Sequence, residues 1–166
     1  MKKVLILALA ITMVAGVAMA DEISVFSDVS GSACTFNFVG PNLYHAYVVH
    51  KTVAGATGSQ FKVVNNIAGV AFSAQVMNGY LAIGDAFTDL SLAYGGCLAG
   101  PNIACVDLSG AIFSAPAGNC QTLDVVAAPN KVGILTVDCT FAEIPATTGA
   151  FVCRACSIIR SLWGQR

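Results

Sequence analysis

Charge is scarce in this sequence. Lys, Arg, Asp and Glu together make up 10% of the 166 residues, against roughly 25% in an ordinary soluble domain. The eight basic residues form no cluster beyond the first three positions. Phosphate binding needs clustered Lys and Arg, so nucleic acid is an unfavourable partner.

Histidine is nearly absent, with only His45 and His50, both inside LYHAYVVHK. Five residues apart on one strand, they project to opposite sides of a sheet and cannot share a metal ion unless a bulge intervenes. One is expected to face solvent and the other the core or a strand neighbour. No G-x-S-x-G is present, and Asp85, Asp89, Asp107, Asp124 and Asp138 match no calcium-loop spacing. Such isolated Asp residues at strand ends usually cap turns. No catalytic residue, metal or cofactor is expected.

Sustained helical periodicity is also missing between Asp21 and Ser157, which disfavours helix-rich and βαβ folds. Short runs of β-branched and aromatic residues, broken by Gly, Pro and Asn, replace it. Strands are expected near 23–29, 35–39, 43–51, 60–64, 69–77, 80–87, 90–94, 103–113, 123–127, 133–141 and 151–156. Gly55-Ala56-Thr57-Gly58 reads as a flexible break, and Asn78-Gly79 as a type I′ turn joining its flanking strands into a hairpin. Nine to eleven short strands in one domain predict an all-β, antiparallel β-sandwich, with a closed barrel as the alternative.

The ends differ from the middle. MKKVLILALAITMVAGVAMA has a basic start, an apolar run and a small Ala18-Met19-Ala20 site, the pattern of a cleaved signal peptide over residues 1–20. Its apolar run is shorter than the roughly 20 residues a spanning helix needs, and no later stretch has that length, so no membrane span is expected after cleavage. The β-sandwich domain is assigned to 21–156. Without Lys2 and Lys3, six of the eight basic residues face nine acidic ones, a net charge of −3. Residues 157–166 read as a short amphipathic helix capped by Ser157, with Ile158, Ile159, Leu162 and Trp163 on one face as interaction candidates.

Seven cysteines remain, Cys34, Cys97, Cys105, Cys120, Cys139, Cys153 and Cys156, and export favours disulfides. The odd count leaves one thiol unpaired, paired between chains or chemically special, and spacing does not choose among the frameworks. C-x-x-C occurs once, at Cys153 and Cys156, without the second pair that a zinc site requires. A thioredoxin-like role would place it at a helix start, whereas here it sits in a strand-like run. Ser157 stands where covalent haem attachment requires His. On a strand, Cys153 and Cys156 point to opposite faces, which favours separate bridges.

The order YVVHK, GATGSQFKV, IGDAFTDLSLAYGGC, VDC and a tail ending in SLWGQR resembles small secreted, cysteine-containing β-sandwich proteins of environmental bacteria. The strand-and-glycine texture is more loosely similar to cohesin-like surface modules. The resemblance implies an exported β-domain, secreted or periplasmic, that binds partners and catalyses nothing. The resulting expectation is a non-enzymatic structural or protein-interaction module, self-assembling at the cell surface as a homo-oligomer. The contrasting expectation is a periplasmic thiol-active or small-ligand-binding protein using Cys153 and Cys156.

Overall fold

Alternating apolar residues account for the strands that form. The computed structural model describes residues 21–37, 42–112, 121–148 and 153–156. These hold β1 (Glu22–Phe26), β2 (Thr35–Asn37), β3 (Asn42–Lys51), β4 (Ala56–Asn65), β5 (Phe72–Val76) and β6 (Leu81–Asp85). Then follow β7 (Asp89–Leu98), β8 (Asn102–Ile112), β9 (Gln121–Val126), β10 (Ile134–Asp138), β11 (Glu143–Thr148) and β12 (Cys153–Cys156). No helix occurs among the described residues. Residues 1–20, expected to be a signal peptide, Cys120 and the tail with Ile158, Ile159, Leu162 and Trp163 lie outside them.

The hydrogen-bonded path runs β2-β12-β9-β4-β10-β11-β1-β3-β8-β5, with β7 on β4 and β6 on β7. Strand β4 joins two layers, because its first half pairs with β7 and β10 while Lys62–Asn65 pairs with β9. The result is an all-β sandwich whose sheets run into one another, close to a closed barrel.

Between the layers lie Ile23 and Val25 of β1, Ala46 and Val48 of β3, and Phe61 and Val63 of β4. Leu90 and Leu92 of β7 and Val106 and Leu108 of β8 complete the centre. Each Val, Leu, Ile or Phe among them contributes about 1.5–3 kcal/mol by leaving water. Phe26 and Val49 are buried outside this core, Val49 against Gly31 of the loop after β1 and Phe26 with the Lys51 ammonium 4.3 Å from its ring centre. Asp28 pins that loop, its carboxylate accepting from Ser32 N, Ala33 N and the Ser30 and Ser32 hydroxyls. Those donors hold the Asp28 carboxyl far below the usual carboxylate range.

Four features depart from the sequence reading. Asn78 and Gly79 do take positive φ, at 56° and 68°, but the strands they join do not pair. β5 pairs β8 and β6 pairs β7, so the turn carries the chain from one layer to the other. Ala56 to Gly58 belongs to β4 and is no flexible break. β11 was hidden by Pro145, which normally demotes a strand. It is tolerated because β1 meets β11 only at Thr147 and Thr148, leaving Pro145 with a strand on one side. Finally, the pairing is not wholly antiparallel, since β1 with β11 and β12 with β2 run parallel.

Candidate functional site

The two histidines take different environments. Side-chain exposure is 43% for His45 and 0% for His50. Around His50 a polar cluster crosses the core. Its Nε2 lies 3.1 Å from Asp21 Oδ2, and its Nδ1 lies 3.0 Å from the Tyr94 hydroxyl. That hydroxyl is 2.7 Å from Ser59 Oγ and 3.3 Å from Cys105 Sγ. Asp21 also accepts from Val53 N and the Thr136 hydroxyl. Burial lowers the His50 pKa, with Asp21 pulling the other way, and burial pushes the Tyr94 phenol well above its ordinary value. An Asp-His-Tyr chain of this kind can move protons, but His50, Tyr94, Ser59 and Cys105 are all buried in the core and offer no reacting atom to a substrate. It acts as a satisfied core network.

His45 sits on the outer face of β3. Its Nδ1 lies 2.9 and 3.1 Å from the two Asp107 oxygens and 3.2 Å from Ser109 Oγ. A Ser-His-Asp relay needs Ser and Asp on different ring nitrogens. Here both meet Nδ1, so no relay is assembled. The neighbouring Tyr47 ring stacks at 6.4 Å, and Ser73 and Gln75 of β5 lie in register with Ser109 and Asp107. This cluster is polar, with the exposed Leu43 two residues from His45 on the same strand. No group of three or more metal-ligating side chains occurs among the described residues.

The cysteines separate by environment. Cys97 on β7 is bonded to Cys139 at the end of β10. Cys34 is disulfide-bonded as well. Cys105 is free and buried, its pKa pushed up to about 12 by burial. It is the extra residue of a bulge in β8, where Val48 pairs with Val106 and Val49 with Ala104. The bulge turns both Cys105 and Val106 inward. Cys153 and Cys156 lie within strand β12, between β2 and β9, so neither adopts the helix-start geometry of a redox pair.

The second outer face has a different character. Registers align Leu81, Ala93, Gly58 and Val137 across β6, β7, β4 and β10, and Ile83, Ser91, Gln60 and Leu135 beside them. No charged residue stands in either row. Leu81 and Ile83 are 67% and 71% exposed. Gly58 is required here, because a Cβ would meet Leu92 O at 2.6 Å. Its bareness, with Gly95 and Gly96, opens a trough of about 440 Å³ over the strands, walled by Val137 and Phe141.

Phe141 is the least expected part. It is 79% exposed and has φ of 65°, a left-handed conformation costly for a bulky side chain. Its loop is held from both sides. The Asp138 carboxylate accepts from Thr140 N, the Thr140 hydroxyl and Ala142 N, which lowers its pKa, and Cys139 ties the loop to β7. Gly55 leaves room for that bridge, since a Cβ there would meet Cys139 Sγ at 2.8 Å. Sequence reading placed Phe141 at a strand end. The strand ends instead at Asp138, which caps the turn as an isolated Asp at a strand end is expected to, and Thr140 two residues later completes the Asx-turn pattern.

A second cavity, of about 580 Å³, lies beside Tyr80 and Ile103. Its amides are already engaged, Asn78 Nδ2 with Tyr80 OH and Ala104 O, and Asn102 Nδ2 with Ser30 O.

No family model matches the chain, and no curated protein matches it. Solved structures do. A type II cohesin domain from the cellulosome of Acetivibrio cellulolyticus aligns at TM-score 0.53 and 11% identity, over 78% of this chain and 91% of that one. The sixth cohesin of scaffoldin B from the same organism, solved in complex with Cel5 dockerin, aligns at TM-score 0.51 and 12% identity, over 78% and 94%. CaCohA2 from Clostridium acetobutylicum aligns at TM-score 0.51 and 9% identity, over 83% and 90%. The fold is therefore cohesin-like.

Proposed function

We propose that this chain is an exported, non-enzymatic protein-interaction module that docks a partner on the face around Phe141. The observation that carries the reading is the bracing of Phe141, an exposed aromatic side chain held in a costly backbone conformation by Asp138 and the Cys97–Cys139 bridge. Rigid aromatic anchors beside open apolar pockets are what interface hot spots are made of. The absence of charge from the adjoining rows suits desolvation on contact.

A secreted or periplasmic location is supported by the leader pattern of residues 1–20 and by the disulfide. A non-enzymatic role is supported by the burial of His50 and by the geometry at His45. The cohesin likeness makes a protein partner the natural one, a dockerin-type module being the first to try. Assembly with copies of itself at the cell surface is a further part of the proposal.

Photocrosslinking tests the docking face. A photoreactive phenylalanine at position 141 is expected to give one discrete adduct with a partner from the exported fraction, competed by unlabelled wild-type chain and not by Phe141→Gly. The same probe at exposed Val132 is expected to give none. Equal labelling at both positions, or indifference to the competitors, would sink the reading.

A further inference from the structure

We infer that β6 is a self-association edge, pairing antiparallel with β6 of a second copy of this chain about a two-fold axis through Ala82. This deepens the self-assembly part of the proposal above and rests on it.

The first support is an unfilled edge. β6 bonds to β7 on one side and to no other strand among the described residues, so its outer row of backbone N–H and C=O groups is a template for another strand. The second is the lack of protection. Edge strands are ordinarily guarded by Lys, Pro or inward charge. From Leu81 through Ile83, β6 carries none of these; the unguarded stretch ends at Gly84, whose φ is 93°, and Asp85.

The other two edges are less suited. β5 places the polar Ser73 and Gln75 on its outer face, in register with Ser109 and Asp107, and β2 has only three residues. The flanking turn of β6 is well formed, with Asp85 Oδ1 accepting from Phe87 N, so the edge is presented in a defined shape.

Side-chain pattern chooses both partner and register. Leu81 and Ile83, the two exposed apolar residues of β6, share one face with Ala93 and Ser91 of β7. An axis through Ala82 sets Leu81 opposite Ile83 of the second copy, twice over, and puts Asp85 against the Gly79 turn. An axis through Ile83 would instead set Asp85 opposite Leu81, a carboxylate against an apolar side chain. A copy of the same chain is the occupant whose strand satisfies this pairing on both sides with no like charges meeting, as an isologous interface requires. The two uncharged faces then continue into one.

Five residues of edge bury less than the roughly 800 Å² per partner of a standard interface, so the dimer is reversible and concentration-dependent. Sedimentation equilibrium of the full exported chain, disulfides intact, tests it. Wild type is expected to move from monomer to dimer with rising concentration. Ile83→Lys is expected to raise the dissociation constant about tenfold or more, with an unchanged circular dichroism spectrum and melting temperature. Register is read by mixing Leu81→Cys with Ile83→Cys under mild oxidation. A mixed disulfide dimer that exceeds either self-dimer supports the axis through Ala82. A wild-type chain that stays monomeric, a dimer indifferent to Ile83→Lys, or rapid self-crosslinking of Ile83→Cys alone overturns the inference. A monomeric wild type that still gives the partner adduct at position 141 places the failure here and leaves the docking proposal standing.

Discussion

Asp21 and His50, 29 positions apart, meet at 3.1 Å with side-chain exposures of 3% and 0%. The first residue after the predicted cleavage site is thus built into the core. Its carboxylate ties β3 to Thr136 of β10, while its backbone carbonyl accepts from Thr147 N on β11.

Truncating either member strands the other. Burial keeps His50 neutral at pH 7, so Asp21→Ala or His50→Ala is expected to cost about 1–3 kcal/mol there. Denaturant unfolding measures the loss. A change under about 0.5 kcal/mol would place the pair outside the stable core.

The same burial sets a pH response. The His50 pKa is lowered in the folded chain, so above about pH 6.5 both folded and unfolded forms are neutral and the group contributes nothing. As pH falls below that value the unfolded chain binds a proton that the folded one refuses. Stability then drops by up to about 1.4 kcal/mol per pH unit, until the folded pKa is reached. His50→Phe is expected to flatten this slope between pH 7 and 5 in thermal melts.

The Cys97–Cys139 bridge closes a 42-residue separation, and loop closure of that size is worth about 4 kcal/mol through the unfolded chain. Cys97→Ser with Cys139→Ser is expected to lower stability by roughly that amount. It is also expected to weaken partner crosslinking at position 141, because the loop loses one of its two braces. Loss of stability with full crosslinking would show that Asp138 suffices.

Cys105 is expected to resist alkylation in the native chain, since its thiol is fully buried and its pKa is pushed up to about 12. Labelling followed by mass spectrometry should track global unfolding. Modification of this site in minutes under native conditions would count against a closed core.

Phe141→Gly should separate stability from function. Glycine accepts the left-handed backbone without steric cost, so stability is expected to hold or rise by up to about 1 kcal/mol while docking is lost. Equal loss of both would make Phe141 a packing residue.

Composition and spacing made the all-β class legible, because β-branched runs with turn residues between them have few other ways to bury their apolar faces. The separation of His45 and His50 to opposite faces followed from strand parity alone. Asn78-Gly79 shows where local information stops. Its positive φ values were readable, yet whether β5 and β6 pair depends on which neighbours compete for each edge, and β8 and β7 won.

Strand periodicity, turn chemistry and the supply of cysteines are local properties of the chain, and the sequence by itself determined them. The tertiary structure decided that Cys97 meets Cys139, that Cys105 is turned inward by a bulge, and that Phe141 is held out beside a glycine-floored trough. Those outcomes depend on contacts between residues tens of positions apart. A glycine is a gap, and a phenylalanine an anchor, only once another strand has been laid beside it.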